Sequence, residues 1–114
     1  MYYLFVVTLE DCPWSNAAID LLNSFKIKYK HLKVKRNDKE KYKTTEINTF
    51  PQIYLKKNIS NDSLLLGGYT NLKEFIDTFI NQKYDEKKIL DFQQKYQMWH
   101  KKPILRLIEL INLK

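Results

Sequence analysis
The sequence predicts an α/β fold, a four-stranded mixed sheet flanked by helices and followed by a C-terminal helical extension. Three features predict it. Tyr2 to Thr8, YYLFVVT, is a continuous apolar and β-branched run, the pattern of a strand buried on both faces, and a helix signal follows it at once. Two short strand signals later in the chain are separated by a turn of only a few residues, which calls for an antiparallel hairpin. Apolar stripes at helical spacing lie between and after the strands, so the sheet has helices to bury it.

Each element has its own signal. Pro13 suits a first helical position, where no backbone N–H is needed, and Ala18, Leu21, Leu22 and Phe25 fall on one face behind it. Ile27 to Val34, IKYKHLKV, alternates as a second strand, and Asn37 or Asp38 can cap a short polar helix reaching to Ile47. Gln52 to Lys56 and Ser63 to Leu66 are the hairpin strands, with the turn at Asn58 to Asp62. Gly67-Gly68 breaks the pattern, and Thr70 or Asn71 starts a helix carrying Leu72, Phe75, Ile76, Phe79 and Ile80. A right-handed β-α-β crossover in this order places helices on both faces of the sheet.

Beyond Gln82, Ile89, Phe92, Tyr96 and Trp99 form one helical stripe; after a break at Pro103, Ile104, Leu107, Ile108 and Ile111 form a second. The chain therefore divides into a domain of residues 1–83 and an amphipathic extension of residues 84–114. The extension's apolar faces are expected to pack back on the domain; a second copy or a protein partner comes next, and a basic membrane-surface helix third.

Composition excludes several classes. A chain of 114 residues with 44% hydrophobic content suits one modest core. No apolar run is long enough to span a bilayer, and the first residues lack the pattern of a secretory leader; a soluble cytoplasmic protein without membrane contact is expected. The net charge is +7, and nine Lys/Arg between Lys26 and Lys43 face only Asp38 and Glu40. Arg36 and Arg106 are the only arginines and no nucleic-acid motif accompanies the run, so it reads as a solvated face, with no nucleic-acid partner expected. The single cysteine, Cys12, can form neither an internal disulfide nor a thiolate metal cage. Met98 and His100 lack metal-ligand company, and no metal site is expected.

Cys12-Pro13-Trp14-Ser15 follows the first strand, Thr49-Phe50-Pro51-Gln52-Ile53-Tyr54 leads into the third, and Gly67-Gly68-Tyr69-Thr70-Asn71-Leu72 follows the fourth. In this order and spacing the chain resembles the glutaredoxin family of the thioredoxin fold. The family's dithiol members carry cysteine where Ser15 stands, so the sequence resembles a monothiol-type variant with a CPWS active site. The resemblance implies a glutathione-dependent thiol–disulfide oxidoreductase acting on glutathionylated proteins or small disulfides, with glutathione as co-substrate. Cys12 and Ser15 are then the catalytic pair, and Trp14, Thr49, Phe50, Pro51, Gly68, Tyr69, Thr70 and Asn71 form a glutathione groove. Pro51 is implied to be cis, exposing the Phe50 backbone to pair with the peptide, while the Gly-Gly turn presents the Tyr69 and Thr70 amides to the γ-glutamyl carboxylate. The family's lysine three positions before the cysteine is replaced here by Leu9, and Glu10 and Asp11 are expected to raise the Cys12 pKa and weaken activity. Lys41 or Lys43 is a candidate for facing the glycine carboxylate.

The residues carry a chemistry of their own. A thiol at a helix N-cap meets the free N–H groups of Trp14 and Ser15 and the positive end of the helix dipole, both of which favour thiolate. The Ser15 hydroxyl can add a hydrogen bond, but it cannot resolve a mixed disulfide; a thiol outside the chain must do that. Two other readings stay open: a redox-silent or weakly active glutaredoxin-like binding module, and a glutathione-ligated iron–sulfur carrier, which the rigid Pro13 disfavours.

Overall fold
The N-terminal apolar run becomes β1, Tyr2–Leu9, whose inner residues are buried because a strand lies on either side of it. In the computed structural model, which describes residues 1–81 and 85–113, β1 pairs in parallel with β2, Lys30–Val34, and antiparallel with β3, Gln52–Lys57. β3 pairs antiparallel with β4, Ser63–Gly67, giving one four-stranded sheet in the order β2-β1-β3-β4. The expected boundary between residues 83 and 84 lies outside the described residues.

Helix α1, Pro13–Ser24, has Pro13 in its first turn and Ala18 and Leu22 in the core. Its C-terminus corrects one expectation. Ile27 belongs to the helix stop and not to β2: Lys26 turns left-handed at φ 57, its N–H donates to Asn23, and the Ile27 N–H donates to Leu22. That is a Schellman closure, with Ile27 packed in the same core cluster as Leu22, and it delays the strand to Lys30. The polar helix after β2 is also shorter than expected. It is a 3-10 helix, Arg36–Tyr42, with Lys35 at the N-cap in place of Asn37 or Asp38. The Thr44 hydroxyl accepts from the N–H groups of Glu46 and Ile47, diverting the chain before a helix can reach Ile47.

Helix α2, Tyr69–Phe79, has Gly68 as N-cap and so begins before the expected start at Thr70 or Asn71, because Asn71 reaches back to accept from the Gly68 N–H at 3.0 Å. α3, Glu86–Lys95, is capped by the Asp85 carboxylate, and α4, Lys101–Asn112, follows a turn that holds Trp99. Pro103 does not break α4. It sits in the first turn, where the missing N–H has no intrahelical acceptor to lose.

Residues from α1, α2, α3 and α4 share a single core with Leu4, Val6, Ile53, Leu55 and Leu66, side chains from one face of the sheet. The other face holds a smaller cluster of Val7, Leu9 and Val34, and the 3-10 helix is tied near it by the Gln52 amide donating to the Tyr42 carbonyl. Helices on both faces, the expectation from topology, are thus realised unequally. On the thinly covered face lysines lie over aromatic rings, Lys30 above Tyr3 at 4.3 Å and Lys56 above Phe5 at 4.1 Å, so part of the basic excess covers the sheet. Among the described residues, no helix is long and apolar enough to cross a membrane.

Candidate functional site
The site begins where β1 hands over to α1. Asp11 makes the turn with a left-handed φ of 53, and Cys12 follows in extended conformation as the N-cap of α1, partly buried. Burial pushes the Cys12 thiol up, but the Ser15 hydroxyl, the Ser15 and Trp14 N–H groups and the Arg36 guanidinium outweigh it and hold the pKa below the ordinary thiol range. Ser15 is only 1% exposed, and its oxygen also accepts the Leu9 N–H at 3.0 Å. One fixed hydroxyl therefore serves two roles, closing the end of β1 and stabilising the sulfur as thiolate.

The expected penalty from Glu10 and Asp11 does not set the direction of the Cys12 shift. Arg36, part of the basic run expected to be a solvated face, is the charge that does act on the sulfur. Its Nη2 donates to the Asp11 carbonyl at 2.6 Å, bringing a cation from the far end of β2 onto the turn before Cys12. Nothing in the spacing of residues 11 and 36 signals this; the parallel β1–β2 register, with Leu9 opposite Val34, creates it. Arg36→Gln is expected to raise the Cys12 pKa, by less than loss of the Ser15 hydroxyl, with the fold unchanged; thiolate absorbance at 240 nm against pH measures it.

Beside Trp14 runs an open groove of about 410 Å³. Thr49, Phe50 and Pro51 form one wall, and the Phe50–Pro51 peptide bond is cis. Gly68, Tyr69, Thr70 and Asn71 form the opposite wall at the start of α2, and the Trp14 and Tyr69 rings meet at 5.5 Å. Phe50 both lines the groove and packs with Cys12 against the Val7, Leu9 and Val34 cluster. The structure thus assembles the three separated motifs around one depression, with Cys12 and Ser15 just beyond Trp14.

Three lining residues were not anticipated, Glu46, Ile47 and Leu65; Gly67, of the Gly-Gly turn, lines the groove with them. Gly67 adopts φ +135, and a β-carbon there would collide with the Asn71 side chain. Lys41 and Lys43 do not approach the groove as expected: Lys41 pairs with Asp38 at 3.3 Å and Lys43 with Glu40 at 2.8 Å. The short 3-10 helix spends both lysines on its own acidic neighbours, and the chain after it brings Glu46 to the groove instead.

A mixed four-stranded sheet with a cysteine at the N-terminus of the first helix and a proline-bearing loop at the head of β3 defines a thioredoxin-like fold. Within that class residues 4–59 match the model of a family of thiol–disulfide oxidoreductases, described as glutaredoxin. The match runs from β1 to the β3–β4 turn and leaves α2, α3 and α4 outside it. No curated protein matches the chain.

Proposed function
We propose that the protein is a glutathione-dependent, monothiol thiol–disulfide oxidoreductase that removes glutathione from mixed disulfides. The observation that carries this reading is the Cys12 thiol, held below its ordinary pKa and placed beside a groove that ends at the N-terminus of α2. In the first step the Cys12 thiolate attacks the glutathione sulfur of a glutathionylated protein or small disulfide. A Cys12–glutathione disulfide forms and the substrate leaves as thiolate. A glutathione thiolate then attacks the glutathione sulfur of that adduct, forming oxidised glutathione and returning Cys12 as thiolate, so one glutathione thiolate is consumed and the substrate's mixed disulfide is exchanged for that of oxidised glutathione. Ser15 takes no proton in either step; its hydroxyl stabilises Cys12 as attacker and as leaving group.

Groove chemistry supports glutathione as the ligand at one end. A carboxylate at Tyr69 and Thr70 meets first-turn N–H groups that have no intrahelical acceptor, and the positive dipole of the eleven-residue α2. The Phe50 backbone offers strand-like pairing to the peptide, and the Trp14 and Tyr69 rings offer an apolar wall. The reaction requires a compartment supplied with reduced glutathione, and this reading therefore assigns the cytoplasm. A glutathione-coupled assay on a glutathionylated peptide tests it: saturable turnover is expected, together with amide shifts at Gly68 to Thr70 when glutathione is added. Turnover no faster than the uncatalysed exchange would sink the enzyme reading, and unchanged amide resonances would sink the groove.

A further inference from the structure
Asn71 stands at the groove wall with both ends of its amide engaged. Its oxygen accepts the Gly68 N–H at 3.0 Å, and its nitrogen donates to the Tyr96 hydroxyl at 2.7 Å, a residue 25 positions away in the C-terminal extension. Tyr96 is itself held firmly. It is the C-cap of α3, its ring stacks on Phe92 at 4.3 Å and 16°, and its carbonyl accepts the Trp99 N–H. Trp99 in turn donates its indole N–H to the Leu65 carbonyl at 3.1 Å, so a second groove residue is also tied to the extension.

We propose that the extension is a working part of the groove and that Tyr96 is a positioning residue for it. This rests on the glutathione reading above. The Gly68 N–H sets the amide orientation, because the reverse would place NH2 against N–H, and the Tyr96 hydroxyl, accepting from the nitrogen, holds the Asn71 side chain at that place. Tyr96 thereby fixes which way the Gly67-Gly68 turn and the first turn of α2 present their N–H groups. The part of the chain outside the family match supplies the support for the anion end of the groove.

Tyr96→Phe keeps the stack on Phe92 and removes only the oxygen. The expected result is a KM for the glutathionylated peptide raised about 3- to 10-fold, the worth of one such hydrogen bond, with kcat and the Cys12 thiolate titration unchanged. Hydrogen exchange at the Gly68 amide should quicken in parallel. Ile89→Val, which trims a buried side chain of α3 without touching Asn71, is the control for general destabilisation and should leave KM alone. An unchanged KM in Tyr96→Phe, an unchanged Gly68 exchange, or an equal rise of KM in Ile89→Val overturns the proposal. If the unaltered protein shows no turnover, the glutathione reading has failed and Gly68 exchange decides alone. Faster exchange in Tyr96→Phe than in both the unaltered chain and Ile89→Val then supports the positioning role, and equal exchange overturns it.

Discussion
Deleting residues 85–114 is expected to leave a chain without a cooperative thermal transition. Ile89, Phe92, Trp99, Ile104, Leu107 and Ile111 are buried in the same core as Leu4, Val6, Ile53 and Leu55, so removing them opens the principal face of the sheet to water. Leu107, 1% exposed, measures the coupling one residue at a time: Leu107→Ala should cost about 2–5 kcal/mol from lost burial and the cavity left behind. Against a total stability of roughly 5–15 kcal/mol for a small domain, that is a large share. Urea unfolding followed by circular dichroism checks both variants. A truncated chain melting cooperatively near the temperature of the full one would refute a shared core. The same packing bears on partners, because α3 and α4 bury their apolar stripes inside their own chain and need no second copy to cover them.

The second large effect concerns the sulfur. Cys12→Ser should reduce thiol transfer to the uncatalysed background while leaving the melting transition in place, since no other thiol exists to form the mixed disulfide. Ser15→Ala separates activation from attack. It removes the hydroxyl that lowers the Cys12 pKa and strands the buried Leu9 N–H, costing about 1–3 kcal/mol of stability. The pH dependence has a definite sign. The folded Cys12 pKa is depressed, so between that value and the ordinary value of about 8.5 the unfolded chain binds more protons and stability rises with pH. This contribution is complete above the unfolded pKa and is lost as pH falls through the folded one; turnover should decline across the same lower limb. In Ser15→Ala both the stability slope and the activity limb are expected to move to higher pH. Denaturation and rate measurements at matched pH values test it, and profiles superimposable on those of the unaltered protein would remove Ser15 from the site.

Local signals read well where one short segment decides the outcome. The buried run from Tyr2, Pro13 as a helix start and the Gly67-Gly68 break each act within a few residues, so strand, helix and turn were legible, as were the separate motifs that meet at the groove. Element ends were less so. Ile27 alternates like a strand residue but is drawn into the stop of α1, and Thr44 ends a polar helix through hydrogen bonds that composition does not signal. Trp99 has the spacing of a helical stripe, yet it lies in the turn before α4 with its indole bound to β4.

By itself the sequence determined the single thiol, its place at a helix start and the serine three residues on; these depend on residue identity and local order. The tertiary structure decided the sign of the electrostatics and the makeup of the groove. Arg36 reaches the turn before Cys12 through the β1–β2 register, while Lys41 and Lys43 are spent on nearby carboxylates and Glu46 takes the groove position. Tyr96 reaches Asn71 only because α3 packs across α2. Charge and hydrogen bonding act through space over a few ångströms, and residues 11 and 36, or 71 and 96, become neighbours only when the chain has folded.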